Sequence, residues 1–383
     1  MVAKLIGLSS LTLILIITTC FLIRYLTIQK SSIPTPAHSN TVTCKNENGE
    51  VVDWYFIYKL PEHRRFNFSG YEYIYIDSIG LTWKHSVISI DSMKSMLGVT
   101  LSNIYNNNIS SNYLLYNDIV PGYNFYMRHH GRTKGIISWN NASGYWILHS
   151  IPGFPAIPNN SYTYPLTGIK DGQSILCITI PYKSVITILY DTIPISRPNV
   201  YNCSIKDMGA LYNICNSVHS IEYNTSITWF DSVGGEHFTL FTKSDKYSQD
   251  MVSMLIAPSL KTHILSETRQ RRGQTVPTYC SDDFHVHNIV SVAPNNNHFM
   301  SYRDNSKWLV SLNEVDGWVC IGDIDRSPAQ FHRGGSYVCT RNTYLYHAMA
   351  GSVIKYESCK YDCDMSIAGR VINVPCSDDD YYS

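Results

Sequence analysis

A short pattern that occurs twice constrains the fold of this chain more than any other feature. The copies are residues 134–144 and 307–317, and each reads Lys-x3-Ser-x-Asn-x3-Gly before an aromatic residue. Four identities at equal offsets indicate a duplicated half-domain, because they rarely arise by chance. We therefore predict a site built from one strand of each half, where Lys134 and Lys307 converge.

The charge balance excludes functions that depend on a strong overall field. The 383 residues include 30 Lys and Arg and 30 Asp and Glu, so no net charge draws the protein to DNA or to an anionic membrane. Binding of a polyanion must therefore come from a local cluster. The length allows two domains of ordinary size or one large duplicated domain.

The N-terminal segment predicts a membrane anchor. Residues 5–23 are apolar and uncharged, which is long enough for a helix to span about 30 Å of hydrocarbon. We predict a single-pass type II protein with a cytoplasmic tip (1–4), a transmembrane signal anchor (5–23) and a stalk (24–42), whose domain is endolysosomal or lies on a cell or virion surface. The alternative is a secreted protein after signal cleavage, although residues 18–21 offer a poor cleavage site.

Cysteines and glycosylation sequons both indicate an exported domain. Of the 11 cysteines, Cys20 lies in the apolar segment, and an even number remains downstream, which is typical of disulfides in an oxidising compartment. Sequons, which mark surface loops where they are used, occur at Asn67, Asn108, Asn141, Asn159, Asn202 and Asn224. We divide the domain into residues 43–223 and 224–376, followed by an acidic tail at 377–383.

Strand patterns outnumber helix patterns, which predicts an α/β chain with mixed sheets. Aromatic and β-branched runs predict strands at 51–60, 71–76, 136–139, 145–149, 174–180, 226–230, 237–243, 308–312 and 318–323. Apolar residues at helical spacing predict amphipathic helices at 93–105 and 248–260.

The chain closely resembles the deoxyribonuclease II family from about residue 43 to 360. The motifs that carry the resemblance are residues 43–44, 52–61, 114–118, 133–135, 146–155 and 172–177, then 306–308, 318–323 and 333–335. The resemblance implies a phospholipase D-like fold with two pseudo-symmetric halves, and a site free of metal and cofactor that cuts DNA at acid pH. It also implies the disulfides Cys44–Cys177, Cys280–Cys359 and Cys320–Cys339, which leaves Cys203 with Cys215 and Cys363 with Cys376.

The family's site uses His-x-Lys twice, and this sequence departs from it at both histidines. Hydrolysis without metal needs a nucleophile on one side of phosphorus and an acid on the other, and imidazole can do either. Here the histidine positions are Arg132 and Asn305. A guanidinium has no lone pair to attack with, and an amide does not exchange protons. Losing one acid or base costs about 10² to 10⁴ in rate, so we predict a catalytically disabled pseudoenzyme.

A cationic cluster is expected to remain and to bind DNA or another phosphodiester polyanion. Its members are Arg132, Lys134, Arg303 and Lys307, with His130 becoming positive at endosomal pH, and arginine suits phosphate oxygens bidentately. The resemblance places His149 in the family site, although the residue otherwise suits a buried core position. Asp323 is expected beside Lys307, where it would neutralise the ammonium.

Other interpretations stay open. On an extended strand His130, Arg132 and Lys134 share a face, so an active acid endonuclease that uses His130 is an alternative, although its imidazole would be displaced by about 6 to 7 Å. A third interpretation is a glycosylated surface protein that keeps only the fold. Arg272 ends an arginine-rich segment that fits either convertase cleavage or a basic loop that grips phosphates.

Overall fold

Two large β-sheets carry most of the chain. The computed structural model describes residues 41–64, 67–105, 111–123, 125–158, 161–206, 209–218, 223–269, 274–359, 364–367 and 370–373. From Val42 onward these residues belong to one compact unit. The predicted tip, anchor, acidic tail and Arg272, with nearly all of the stalk, lie outside the described residues. No helix within the described ranges is long and apolar enough to cross a membrane.

The first sheet is entirely antiparallel and has eight strands. The strands up to residue 204 are β1 (Cys44–Lys45), β2 (Val51–Val52), β3 (Trp54–Lys59), β4 (Tyr73–Asp77), β5 (Lys84–His85), β6 (Asn112–Asn117), β7 (Lys134–Trp139), β8 (Ser143–His149), β9 (Gln173–Pro181) and β10 (Val200–Ser204). Their order in the sheet is β10-β6-β7-β8-β9-β3-β4-β5, and β1 pairs with β2 as a separate hairpin.

The second sheet has nine strands, and its one parallel pair is β13 with β14. The later strands are β11 (Thr225–Asp231), β12 (His237–Lys243), β13 (Ile264–Glu267), β14 (Val286–Val292), β15 (Phe299–Met300), β16 (Trp308–Ser311), β17 (Val319–Gly322), β18 (Gly335–Thr340), β19 (Val353–Tyr356), β20 (Asp364–Ile367) and β21 (Arg370–Asn373). The order is β11-β12-β18-β17-β16-β13-β14-β15, with β19 also on β14 and β20 paired with β21.

Short helices connect the strands. The α-helices are α1 (Met96–Tyr105), α2 (Tyr182–Thr187), α3 (Ile193–Ser196), α4 (Tyr212–Cys215), α5 (Ala257–Leu260), α6 (Pro328–Phe331) and α7 (Thr343–Ala350). The 3₁₀ turns are Leu166–Gly168, Gly209–Leu211, Asp245–Tyr247, Pro294–Asn296 and Ser301–Arg303. Two π-helical segments, Ile188–Thr192 and Val252–Ile256, run into α3 and α5.

The predicted helix at 248–260 is therefore only partly α-helical. Its π segment directly precedes the turn that contains Pro258, and the other π segment directly precedes Pro194. Proline cannot donate the helical hydrogen bond and its ring clashes with the preceding turn, so the helix widens there. The helix predicted at 93–105 begins three residues late, at Met96.

Both faces of the first sheet are buried, which explains the continuous aromatic run in β3. Trp54, Phe56 and Tyr58 face a core shared with the second sheet, whereas Tyr55 and Ile57 pack on the side covered by α1. Successive strand residues point to opposite faces, so both must be apolar. The outer face of the second sheet packs against residues 251–257. The layers are therefore helix, sheet, sheet and helix.

The central strands of the two sheets follow the same order. β6-β7-β8-β9-β3 in the first sheet corresponds to β13-β16-β17-β18-β12 in the second, with the same succession along the chain. One copy of the repeat supplies β7 and the start of β8, and the other supplies β16 and leads into β17. The equivalent strands thus bring the two lysines to comparable positions in their sheets.

Four of the expected disulfides are present: Cys44–Cys177, Cys203–Cys215, Cys280–Cys359 and Cys320–Cys339. Cys363 and Cys376 lie outside the described residues, as do the sequons at Asn108 and Asn159. Asn67, Asn141 and Asn224 are exposed. Asn202 does not lie in a loop as expected, because β10 pairs with β6 and leaves this residue partly buried on an edge strand.

Candidate functional site

The two repeat copies meet at a seam where each half bonds to the backbone of the other. The Arg132 amide donates to the Gly334 carbonyl at 2.8 Å, and the Asn305 amide donates to the Gly172 carbonyl at 2.8 Å. Arg132 and Asn305 each lie two residues before a repeat lysine. Their partners Gly334 and Gly172 lie just before β18 and β9. The two candidate positions are therefore fixed by equivalent contacts.

Both repeat lysines are buried at this seam. Lys134 Nζ lies 2.9 Å from Asp118 Oδ1, and its side chain is 2% exposed. Lys307 Nζ lies 3.0 Å from Asp325 Oδ1, and its side chain is 1% exposed. Burial, with the charges of Arg132 and Lys307, lowers the pKa of Lys134 to about 8 against the opposing effect of Asp118. Lys307 therefore lies close enough to Lys134 for its charge to act on it.

Arg132 links the two lysine sites through carboxylates. Its guanidinium contacts Asp118 Oδ2 at 2.5 Å and Asp325 Oδ2 at 3.9 Å. Burial alone would lower the pKa of Arg132, but both carboxylates keep it above its ordinary value. Burial would likewise raise the pKa of each carboxyl, and the cations instead hold both below their usual range. We call Arg132, Lys134, Lys307, Asp118 and Asp325 the seam cluster.

The Asn305 side chain is buried and fully engaged. Its amide donates to the Ser150 carbonyl at 2.9 Å and to Gln173 Oε1 at 3.0 Å. Its Oδ1 lies 3.3 Å from Lys307 Nζ, which also donates to the Asn305 carbonyl at 2.8 Å. Asn305 therefore positions Lys307, and its amide has no chemistry to offer a phosphodiester.

Asp323 faces the first lysine, which corrects the expectation that it neutralises Lys307. Its carboxylate accepts from the Ser336 amide at 2.8 Å and the Ser336 hydroxyl at 3.2 Å, because β17 and β18 are paired beside it. Asp325, two residues later, contacts Lys307 instead. Burial raises the pKa of Asp323 to about 6, although hydrogen bonds from Ser336 and the charge of Lys134 oppose the shift.

His149 lies beside the cluster, in the core. It is fully buried on β8, its Nδ1 accepts from the Ile151 amide at 3.2 Å, and its ring packs edge-on against Phe154. Burial and the charge of Lys134 lower its pKa to about 3. The imidazole is therefore neutral near pH 5, and the one N–H that it keeps is a very weak acid.

The expectation that His130 shares an extended strand with Arg132 and Lys134 is wrong. β7 begins only at Lys134, and the His130 amide donates to the Met127 carbonyl at 3.1 Å within a turn. Burial and the charges of Arg197 and Arg333 lower the pKa of His130. It therefore becomes positive at a lower pH than an ordinary histidine, which works against the endosomal charging expected above.

Arg303 is not brought to the seam cluster either. It ends the 3₁₀ turn Ser301–Arg303, and this turn aims its guanidinium at the Glu62 carbonyl, 2.6 Å away. Among the described residues, none of its hydrogen bonds reaches a member of the cluster. Sequence reasoning missed Arg333 instead, whose guanidinium donates to the carbonyls of Met127, His130 and Gly131.

One group of side chains in the described ranges has the spacing of metal ligands: His285, His287 and Cys359. The Cys359 sulfur is bonded to Cys280. A disulfide sulfur does not supply the thiolate that a metal needs, so this group does not form a metal site.

Comparisons with known proteins show the family of the chain. The family model for Deoxyribonuclease II matches residues 43–359. Similar proteins include Deoxyribonuclease-2-beta of Homo sapiens, which is 40% identical over 334 residues, 84% of this chain and 92% of the relative. Plancitoxin-1 of Acanthaster planci is 30% identical over 84% of this chain and 93% of its own length. Deoxyribonuclease-2-alpha of Sus scrofa is 30% identical over 84% and 91%. The resemblance is confirmed, and the chain belongs to the deoxyribonuclease II family.

Proposed function

We propose that this chain is a deoxyribonuclease II-like protein that binds a DNA phosphodiester at the seam cluster without hydrolysing it. One observation carries the proposal: Arg132 and Asn305 stand two residues before the paired lysines, and both side chains are held by buried partners. The repeated strand order supports the further proposal of a phospholipase D-like, pseudo-duplicated fold with halves at 43–223 and 224–376.

Hydrolysis fails at this site because neither family histidine position carries an imidazole that could attack phosphorus or protonate the leaving oxygen. Arg132 stays protonated beside Asp118, and the Asn305 amide neither attacks phosphorus nor exchanges a proton. His149 is neutral at acid pH, so it cannot protonate the leaving oxygen. A single imidazole also acts on only one side of the phosphorus, whereas in-line displacement without metal needs both.

Binding is retained because the cluster keeps a positive balance. Its three cations face two carboxylates, and the guanidinium of Arg333 lies close enough to influence Asp118. Two members are partly accessible, Arg132 and Asp325, whose side chains are each 11% exposed. Arg132 is the accessible cation of the cluster. A phosphate therefore docks on the outer edge of this guanidinium, with a charge-assisted hydrogen bond.

The compartment and processing of the chain are part of the proposal. The disulfides and the exposed sequons at Asn67, Asn141 and Asn224 support a domain in the lumen or outside the cell. Residues 5–23 would anchor it as a type II membrane protein, and Arg272 would be a convertase site.

A plasmid-nicking assay near pH 5 with EDTA tests the disabled site. We expect no nicking by the full-length chain in mild detergent, and acid nicking by the Arg132→His/Asn305→His variant, because two imidazoles then flank the phosphate. The matched control Arg303→His/Asn313→His makes the same changes outside the cluster and should stay inactive. Robust nicking by the unmodified chain would refute the proposal. A double variant that melts like the parent and gains nothing would show that other positions disable the site.

A DNA titration at several salt concentrations tests the binding. A phosphate binder loses affinity as salt rises, since each neutralised phosphate releases counterions. A protein that keeps only the fold would show no saturable binding at low salt. Affinity that does not change with salt would also contradict a phosphate contact at Arg132.

A further inference from the structure

Residues 120–123 and 125–130 belong to an aromatic and basic loop beside the seam cluster. Tyr123, Phe125 and Tyr126 are 53%, 55% and 44% exposed, and the rings of Tyr123 and Phe125 meet edge-on at 5.4 Å. Single exposed aromatics are ordinary on a protein surface. Three within four residues, next to a cationic site, indicate a ligand that carries both flat rings and negative charge.

The backbone of this loop is fixed by the residues that build the site. Arg333 donates to the carbonyls of His130, Met127 and Gly131 at 2.9 to 3.1 Å. The Met127 amide donates to the carbonyl of Asp118, whose carboxylate holds Arg132 and Lys134. The rings are therefore presented from a backbone that is tied to the seam cluster.

Tyr126 connects the aromatic surface to the phosphate position. The guanidinium carbon of Arg132 lies 4.4 Å from the centre of the Tyr126 ring, within cation–π range. A base next to a phosphate on Arg132 is therefore within reach of Tyr126. Arg128, which is exposed, complements the charge of the neighbouring phosphates.

We propose that Tyr123, Phe125 and Tyr126 stack against unpaired bases of a single nucleic-acid strand whose phosphate lies at Arg132. The inference rests on the proposed function for the position of that phosphate. Aromatic stacking accepts any base, since every base has a π face. In a duplex those faces are already covered by neighbouring base pairs, so the loop favours single strands and open ends over intact duplex.

The test compares a labelled oligothymidylate of about 12 nucleotides, a length within the usual range for such sites, with a hairpin duplex that carries as many phosphates. Binding of both to the full-length chain in mild detergent is measured by fluorescence anisotropy at pH 5 in EDTA. We expect the single strand to bind more tightly. Tyr123→Ala/Phe125→Ala should weaken its binding by about tenfold, a typical loss for base–aromatic contacts, and change duplex binding little.

Two further variants sharpen the test. Tyr126→Ala should also weaken single-strand binding. The Tyr123→Ala/Phe125→Ala variant keeps the Tyr126 ring over Arg132, so the two variants test different rings of the loop. The matched control Tyr212→Ala/Tyr344→Ala removes rings that are 59% and 51% exposed outside the loop, and should change nothing. The salt dependence of single-strand binding should be the same in all of these variants, because none of them removes a charge.

The outcomes separate this inference from the proposed function. Equal losses for single strand and duplex, or no loss, overturn the stacking inference and leave phosphate binding intact. If the variants instead lose binding to phosphatidylserine vesicles and keep the oligonucleotide, the loop faces a membrane and the inference is wrong. Absence of any oligonucleotide binding overturns both. Plasmid nicking by the unmodified chain refutes only the disabled site.

Discussion

Asp323 sets how the charge of the seam changes with pH. Burial raises the pKa of its carboxyl to about 6, so the group is neutral near pH 5 and charged near pH 7.5. Lys134, whose pKa is lowered to about 8, stays protonated over most of this range. The site therefore gains about one positive charge as the pH falls through 6, and phosphate affinity should rise with it.

Asp323→Asn should remove this pH dependence. The amide oxygen can still accept from the Ser336 amide, and the charge near Lys134 is gone at every pH. We expect DNA affinity at pH 7.5 to increase about tenfold, as expected for one nearby charge in a medium of intermediate dielectric, and to approach the parent's affinity at pH 5. Anisotropy titrations at both pH values measure this, with Asp91→Asn on the exposed surface as the control. A variant whose affinity still falls between pH 5 and 7.5 would contradict the assignment.

Sequence spacing could predict the lysines of the site but not their partners. Lys134 and Lys307 stand out because they occupy equal positions in a repeat. Asp118 and Asp325 do not stand out in the sequence. Asp325, for example, reaches across the seam to Arg132, and the spacing of nearby residues cannot predict such a contact. Arg303 and His130 were misplaced because the spacing argument assumed an extended backbone, where the chain forms turns.

At the scale of elements, the seam depends on a close approach between the start of β18 and the end of α3. A Cβ added at Gly334 would lie 2.1 Å from the Ser196 carbonyl oxygen. This approach allows the Gly334 carbonyl to accept from the Arg132 amide. A side chain here would push the two elements apart and move Arg132.

Gly334→Ala should therefore lower both stability and DNA binding. We expect a loss of about 1–3 kcal/mol in the free energy of unfolding, as for other overpacked sites, and weaker DNA binding because Arg132 is displaced. The control is Gly235→Ala in the β11–β12 turn, where φ is +89° and no atom lies within 4 Å of the added Cβ. That change strains the backbone and should lower the free energy of unfolding by a comparable amount, but it should leave DNA binding unchanged. Denaturant melts and anisotropy titrations distinguish the two, and equal DNA affinity in both variants would count against the seam's role.

Strands with dense aromatic or β-branched runs could be predicted from the sequence, and less regular ones could not. β3 and β12 appear where their patterns place them. β18 was missed, because its first residue is a glycine and it follows another glycine, which is typical of a turn. The π segments were also not predicted, although each precedes a proline near the end of an otherwise helical pattern.

At the scale of the whole molecule, two buried carboxyl groups, Glu267 and Asp304, favour the folded state at acid pH. Glu267 is fully buried, and burial together with Asp304 raises its pKa well above 4.5. Burial also raises the pKa of Asp304. Because these pKa values are higher in the folded state, the stability they contribute is fully present below the unfolded pKa and is lost as the pH rises through the folded one. The lowered pKa values of His149, Asp118 and Asp325 act in the opposite direction.

Glu267→Gln should raise the melting temperature more at pH 7.5 than at pH 4.5. The amide oxygen can still accept the hydrogen bond from Ser301, now 2.6 Å from Glu267 Oε2, and no buried charge forms as the pH rises. We expect a gain of several degrees at pH 7.5 and almost none at pH 4.5, measured by calorimetry. The difference between variant and parent cancels the contribution of His149. Glu314→Gln, on the surface, is the control, and an equal gain at both pH values would disprove a raised pKa.

The repeat in the sequence predicts the duplicated organisation of the molecule. That the two sheets pack on one shared core is seen only in the structure. Trp308 of the second sheet donates to Tyr58 of the first, deep between them. Such contacts join residues far apart in the chain, so no local pattern encodes them.

The positions of the disulfides have a consequence for a chain opened near residue 272. Cys44–Cys177 and Cys203–Cys215 lie before it, and Cys280–Cys359 and Cys320–Cys339 lie after it. No covalent bridge among the described residues crosses that point. A nicked molecule would behave as a split protein, whose two polypeptides stay together by non-covalent contacts until a denaturant separates them. Each fragment would carry only one lysine of the pair.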